Sequence, residues 1–266
     1  MSLSLYQIDA FTREPFSGNP AAVCLLERPA SEERMQKVAR EMNLSETAFM
    51  VQRQEPDAFD LRWFTPTTEV ELCGHATLAS AHWLYERETA AAGARISFHT
   101  ASGVLHAERD GELLWLDFPS EKPSTASTPD GLYEALGGEE PVSVGRSRRD
   151  LFVRLEDEET VRSLSPDLSA LARIDARGVI VTAPGASDGA DFVSRFFAPR
   201  AGVPEDPVTG SAHCALAPYW AEELGRNALT GRQLSDRGGT VHVRAKGNRV
   251  ALGGHAVTVL RATLLV

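Results

Sequence analysis

Two copies of one pattern stand half a chain length apart, and that duplication restricts the fold more than any other feature. "RWFTP" at Arg62 to Pro66 precedes "GHATLASAHW" from Gly74, and "RFFAP" at Arg195 to Pro199 precedes "GSAHCALAPY" from Gly210. The Arg-aromatic-Phe motifs are offset by 133 residues and the glycine-led segments by 136, in a chain of 266. With the glycines aligned, Ala76 matches Ala212, Ala79 matches Ala215, Ala81 matches Ala217 and Trp83 matches Tyr219. Upstream, the 133-residue offset lays Val38-Ala39-Arg40 on Leu171-Ala172-Arg173. Three matches in the same order predict two pseudo-equivalent domains.

Local patterns fit that division. "SEERMQKVAREMN" has Ser31 placed to cap a helix, acids in the first turn, and Met35, Val38, Ala39 and Met42 on one face. "YQIDAF", "AAVCLL", "TAFMVQ", "LRWF", "ARISFHT", "GVLHAER" and "LLWLDF" are short β-branched or aromatic runs between turn residues, the pattern of strands. The segment from His75 to about Arg87 differs, because Ala76, Ala79, Ser80 and Ala81 surround it with small side chains and leave no broad polar face. Such a helix is buried, and each half is expected to wrap strands around one central helix. "DFPSEKPSTASTPDG", Asp117 to Gly131, reads as the linker. The boundary expected near Pro119 gives domains 1–118 and 119–266, with terminal strands able to cross between them.

Charge and cysteine usage narrow the function classes. A net charge of −10 disfavours a nucleic-acid backbone as partner. The densest basic stretch, "GRSRRD" from Gly145 to Asp150, reads as a solvated turn. Three cysteines, Cys24, Cys73 and Cys214, are too few for a disulfide scaffold and fit a reducing cytoplasm. No basic leader and no apolar run of membrane-spanning length is evident, so a membrane is not an expected partner.

Helix starts carry the chemistry. Gly74 and Gly210 introduce the two central helices, and a helix start presents unpaired N–H groups and the positive end of the macrodipole. A small carboxylate is the ligand such ends hold; the plain alternative is a start capped by its own Thr or Ser. His75 follows the first glycine, Ser211 follows the second, and Asp206 precedes Gly210 by four residues in "EDPVTGSAH". Glu46, in "NLSETAFMV", falls opposite Val179 in the repeat, so this carboxylate belongs to one half only and is the asymmetric element that proton chemistry needs. Taken singly, Glu46 reads as a solvated acid, His75 as a structural histidine and Asp206 as a turn or cap residue.

Together, "IDAFTREPFSGNPAAVCLL", "NLSETAFM", "FTPTTEVELCGHATLASA" and "EDPVTGSAHCALAPYW" resemble the motif set of the PhzF family, the phenazine-biosynthesis-like isomerases, related in fold to diaminopimelate epimerase. The similarity runs from the N-terminus to "GGHAVTVLRATLLV" and is weakest over residues 120 to 170. It implies an α+β fold of two pseudo-symmetric domains, each a β-barrel wrapped around a central α-helix, with an active site in the cleft between them and a homodimeric assembly. It further implies Glu46 as acid/base, with His75, Asp206 and Ser211 as catalytic companions, and Asn19, Gly74, Thr209 and Gly210 holding a small carboxylate-bearing substrate. The prototype reaction isomerises dihydro-3-hydroxyanthranilate without a cofactor, by removing a proton from one carbon and returning it to another of the same conjugated system.

Cys73 marks a departure. Diaminopimelate epimerase uses two thiols, one from each half, and here Cys73 has Thr209 as its repeat partner. A carboxylate isomerase therefore ranks above a two-thiol racemase, with an epimerase pairing Cys73 with Asp206 or Glu46 left open. A protein that binds a small carboxylate without turnover is the reading from another class. Cys73, His75, His82 and His213 match no common zinc spacing, so no metal is expected. The chain contains no Gly-x-Gly-x-x-Gly, P-loop or Gly-x-Ser-x-Gly motif.

Overall fold

Both copies of the Arg-x-Phe motif end a strand and make the same pair of contacts. Residues two apart on a strand share a face, so each arginine lies over its own phenylalanine, at 5.2 Å for Arg62 on Phe64 and 4.9 Å for Arg195 on Phe197. Each guanidinium is also clasped through Nε and Nη2 by one carboxylate. Arg62 donates to both oxygens of Glu69 at 2.6 Å, and Arg195 donates to Glu205 at 2.8 and 2.9 Å. The duplication read from the sequence is therefore present in side-chain chemistry as well as in backbone order.

The structure, a computed structural model, describes residues 2–91, 93–186 and 189–265. It divides into two compact units, Met1–Asp117 with Gly253–Val266, and Phe118–Leu252. The chain runs β1 (Ser2–Ala10), β2 (Asn19–Leu26), α1 (Glu32–Met42), β3 (Glu46–Gln52), β4 (Ala58–Phe64), β5 (Glu69–Val70), α2 (Gly74–Glu86), β6 (Ile96–Thr100), β7 (Gly103–Asp110) and β8 (Leu113–Pro119). It continues through β9 (Ser124–Thr125), α3 (Leu132–Ala135), β10 (Ser143–Arg146), β11 (Leu151–Arg154), α4 (Glu158–Ser163), α5 (Leu168–Leu171), β12 (Val179–Pro184) and β13 (Phe192–Phe197). After a 3-10 turn over Pro199–Ala201 come α6 (Gly210–Leu224), β14 (Ala228–Gln233), β15 (Gly239–Lys246), β16 (Arg249–Gly254) and β17 (Ala256–Leu265).

The pairings repeat from unit to unit. In the first, β2 runs parallel to β3, β3 antiparallel to β4, β4 parallel to β6, and β6 antiparallel to β7. In the second, β11 is parallel to β12, β12 antiparallel to β13, β13 parallel to β14, and β14 antiparallel to β15. The architecture is α+β: two pseudo-symmetric units of curved, mixed sheet, each with its own central helix. The last strand, β17, pairs antiparallel with β1, with Ser2 opposite Leu265. Residues 253–266, which the repeat assigns to the second half, thus lie in the first unit. The Pro/Ser/Thr-rich stretch read as a linker is partly sheet, since β9 pairs with β10.

Small side chains let α2 become a core element. Ala76, Leu78, Ala79, Ser80, Ala81 and Leu84 have no exposed surface, and the polar members satisfy themselves along the helix. Thr77 donates to the Cys73 carbonyl at 2.5 Å and Ser80 to the Ala76 carbonyl at 2.7 Å. Close approach also requires Gly254, where an added Cβ would sit 2.4 Å from the Phe11 ring and 3.2 Å from Leu78. Truncating Leu78 or Leu84 to alanine is expected to cost about 2–5 kcal/mol, the usual range for a buried leucine.

The second central helix, α6, contains Pro218. A proline has no N–H to give to the residue four before it, and the freed carbonyl of Cys214 instead accepts the Glu121 backbone N–H at 3.0 Å. Trp220 on this helix stacks on Phe192 with planes 4° apart and donates its indole N–H to Thr182 at 2.9 Å. On the surface of the first unit, α1 follows its sequence pattern. Ser31 accepts from the Arg34 N–H at 3.3 Å, and Asn43 ends the helix in the left-handed conformation, its N–H donated to Ala39.

Candidate functional site

Strand registry explains why Glu46 is available. The β3–β4 ladder begins at Thr47 opposite Phe64, whereas in the second unit Val179 itself stands opposite Phe197. The two ladders are shifted by one residue relative to the repeat. Glu46 is left at the head of its strand, opposite only Ala21 of the parallel neighbour β2, while Val179 is taken into the core.

Above that carboxylate lies the start of α2. His75 Nε2 is 3.1 Å from Glu46 Oε2, with the imidazole 7% and the carboxylate 18% exposed. On the other side of the ring, Nδ1 is 3.6 Å from the Cys73 sulfur. The Glu46–His75 contact is close but not aligned as a hydrogen bond, so it acts chiefly through charge. Burial works against a charged imidazole, but Glu46 beside it, joined by the Cys73 sulfur only where that is ionised, holds His75 above the ordinary histidine range. The same burial, reinforced by Glu46, pushes the Cys73 thiol up to about 11. The thiol therefore stays protonated at neutral pH, beside an imidazole whose charged form is favoured.

Cys73 is the N-cap residue of α2, makes no side-chain cap bond there, and has no acid in the following turn. The positive helix end is therefore not neutralised by its own first turn. Glu46, Cys73 and His75 also offer one ligand atom each within 4.8 Å of one another, a donor set able to hold a divalent cation once the thiol is deprotonated. Of the residues grouped from sequence, Cys73 and His75 are adjacent, whereas His82 lies 3.7 Å from Glu86. His213 belongs to the second unit, where its Nδ1 donates to the Thr209 carbonyl at 2.8 Å.

Asn19 begins β2, is fully buried, and pairs in register with Ala10 of β1. Gly74 is half-buried at the first position of α2.

In the second unit, Thr209 is the N-cap of α6, also without a side-chain cap bond and without an acid in the first turn. Neither helix start is thus capped by its own Thr or Ser. Asp206 does not cap the helix: its carboxylate accepts the Thr209 hydroxyl at 2.5 Å. Gln233 from β14 locks this corner, accepting the Thr209 N–H at 2.8 Å and donating to the Asp206 carbonyl at 2.7 Å. Gly210 is buried behind it, and half-buried Ser211 accepts from Arg177 Nη2 at 3.0 Å.

Arg177, Asp150 and Gln233 were not indicated by the sequence. Arg177 grips Asp150 through two bonds at 2.8 and 2.5 Å. Asp150, the last residue of the arginine-rich stretch read as a solvated turn, is 2% exposed and is the buried anchor of that pair. Their signal was tertiary: an acid ending one turn and an arginine 27 residues later meet because β11 and β12 lie parallel.

Comparison with known proteins bears on the whole chain. The family described as "Phenazine biosynthesis-like protein" matches residues 8–262. An uncharacterised isomerase of Halalkalibacterium halodurans is 50% identical over 267 residues, covering all of both chains. A crystal structure of a PhzF-family phenazine biosynthesis protein from Enterococcus faecalis superposes with a TM-score of 0.95 at 44% identity, again over the whole of both chains. A hydroxyproline epimerase from Agrobacterium vitis, at 11% identity and a TM-score of 0.65, covers 99% of this chain and 92% of its own, and shares the fold alone.

Proposed function

The chain belongs to the phenazine biosynthesis-like (PhzF) family and is an isomerase, and from that premise we propose that it moves a proton within a small carboxylate-bearing substrate, with Glu46 as the acid/base. One observation carries this reading: a carboxylate absent from the other half of the repeat stands 3.1 Å from a buried imidazole at an uncapped helix start.

Each group has a physical task. Glu46 takes a proton from a carbon next to unsaturation, leaving a delocalised anion on the substrate. The carboxyl is then neutral, and the positive charge of His75 is opposed by the substrate anion instead of by Glu46. The backbone N–H groups after Gly74 receive substrate oxygen. Return of the same proton to another carbon of the conjugated system completes the isomerisation, and no electron acceptor is required. On the family resemblance, Asp206 and Ser211 are kept as catalytic companions and Asn19, Thr209 and Gly210 as substrate-binding residues. An epimerase that uses Cys73 is the second reading, favoured by the sulfur's 3.6 Å approach to His75 and opposed by a thiol held protonated up to about pH 11.

The test is proton exchange. Candidate unsaturated carboxylic acids are incubated in deuterium oxide with the wild type, Glu46→Gln and Cys73→Ser, and deuterium is located by NMR. The expected result is exchange lost in Glu46→Gln by a factor of about 10²–10⁴ and kept in Cys73→Ser. Exchange undiminished in Glu46→Gln refutes the assignment, and exchange lost only in Cys73→Ser transfers it to the thiol. The substrate is taken to be a small carboxylate, and the alternative of binding without turnover predicts saturable binding with no exchange by any variant.

A further inference from the structure

An arginine-rich hollow of about 490 Å³ lies in the second unit, walled by three loops. The turn between β10 and β11 contributes Arg146, Arg148 and Arg149, the loop before β12 contributes Asp175 and Arg177, and the 3-10 turn contributes Arg200. Five arginines line it in a chain whose net charge is −10, although the Arg177 guanidinium is engaged by Asp150 and Ser211. Chance scatter of surface arginines would not line one concavity with five and only one exposed acid.

Existing partners leave Arg146 and Arg148 without an ion pair among the described residues. Asp175, 94% exposed, takes Arg200 at 2.8 Å. Arg146 spends its contact on a neutral acceptor, the Asp175 carbonyl at 2.7 Å. Buried Asp150 balances Arg177, and Arg148 makes no ion pair or hydrogen bond among the described residues. The two carbonyl and carboxylate contacts of Asp175 instead pin the loop between Arg146 and Arg200, so the donors are held at set positions before any ligand arrives. Arg146 and Arg148 also line a second hollow of about 450 Å³, together with Glu121 and with Lys122, which is paired to Glu222.

We propose that this hollow binds a compact polyanion, a small molecule carrying at least two negative charges on phosphoryl or clustered carboxylate groups. Planar guanidinium groups match such oxygens through paired N–H donors and remain weakly hydrated. The volume falls in the range of small-ligand sites. A long nucleic acid is disfavoured by the acidity of the rest of the chain. One wall is shared with the substrate-binding corner described above, since Arg177 also donates to Ser211.

The experiment is calorimetric titration of the full-length protein with inorganic pyrophosphate and, separately, with citrate, at constant ionic strength set by sodium chloride. Saturable binding at one site per chain is expected. Arg148→Gln should weaken it about tenfold, and Arg148→Gln with Arg200→Gln should abolish it. Arg148 has no partner to lose, so that single variant reports on the ligand and not on folding. Tighter pyrophosphate binding identifies a phosphoryl ligand and tighter citrate binding a carboxylate one; either supports the site. Absence of saturable binding by both anions, or affinity unchanged in Arg148→Gln, overturns the proposal. So does a change of self-association in Arg148→Gln without anion binding, which would make the hollow a contact between chains.

Discussion

His75 stands between Glu46 and Cys73, its Nε2 3.1 Å from the carboxylate and its Nδ1 3.6 Å from the sulfur. One ring thus couples an acid that only one half of the duplicated chain possesses to a thiol that the other half replaces with Thr209. The asymmetry lies at one helix start, although the surrounding strands are nearly the same in both units. The consequences concern ionisation, and they can be measured without knowing the substrate.

The first is the pH profile of His75. Its folded-state pKa is raised above the unfolded value. Its contribution to stability is therefore complete below the unfolded value of about 6.5 and is lost as pH rises through the folded one. His75→Gln keeps a polar donor but cannot be charged. The variant should be less stable by about 1–3 kcal/mol at pH 6, with the gap narrowing at alkaline pH. Urea midpoints measured at pH 6 and pH 9 give the answer, and a gap that is constant or grows with pH contradicts an imidazolium.

Thiol chemistry offers a second check. Burial pushes Cys24 up to about 12, Cys73 up to about 11 and Cys214 up to about 12. At pH 8 almost no thiolate is present at any of them, and the thiolate is the reactive form. Native protein should react with iodoacetamide at least about a hundredfold more slowly than an unhindered cysteine, while the unfolded chain yields three labelled sites. Rapid labelling of Cys73 in the folded protein, located by peptide mass, would show an activated thiol and favour the epimerase reading.

How far the sequence reaches is visible in these same residues. Ser31, the small-residue helices and the Arg-x-Phe motifs follow from local rules of capping, periodicity and strand alternation, and they appear as expected. The carboxylate at Glu46 was conspicuous because a repeat turns one unmatched acid into a signal. Asp150, Arg177 and Gln233 were hidden because their partners lie far along the chain or meet only across a parallel pair of strands. A run of arginines reads as solvent-exposed until the loop at Asp175 folds back to make it the wall of a hollow.

The twin ion pairs give a third prediction, since the same motif is buried to different depths. Arg195 is 13% and Glu205 23% exposed, against 39% and 29% for Arg62 and Glu69. Arg195 also donates to the Leu164 carbonyl at 2.5 Å. Removing one partner of a buried pair strands the other charge. Arg195→Ala should therefore cost about 3–5 kcal/mol, and Arg62→Ala about 1 kcal/mol or less because solvent screens the residual carboxylate. Equal losses in paired denaturation curves would mean that burial does not set the value of the motif.

Acid sensitivity supplies the last test, and its sign is opposite to that of His75. His213 is fully buried on α6, packs 5.9 Å from Phe192, and donates Nδ1–H to the Thr209 carbonyl. Its Nε2 has no partner among the described residues. Burial, opposed by the bond to Thr209, pulls its pKa down to about 4. At pH 7 the ring is neutral in both folded and unfolded chains and contributes no pH dependence. Between about pH 6.5 and 4 the unfolded chain takes up a proton that the folded one refuses, so stability falls as pH falls. At pH 5 this amounts to about 2 kcal/mol, from 1.4 kcal/mol per pH unit below 6.5. His213→Gln removes the titration while keeping a donor for Thr209. Whatever it costs at pH 7, its further loss between pH 7 and pH 5 should be about 2 kcal/mol smaller than that of the wild type. His75 and the carboxylates contribute equally to both proteins and cancel in the comparison. Parallel losses in the two proteins would mean that His213 accepts its proton while folded, and that the interior around α6 admits water.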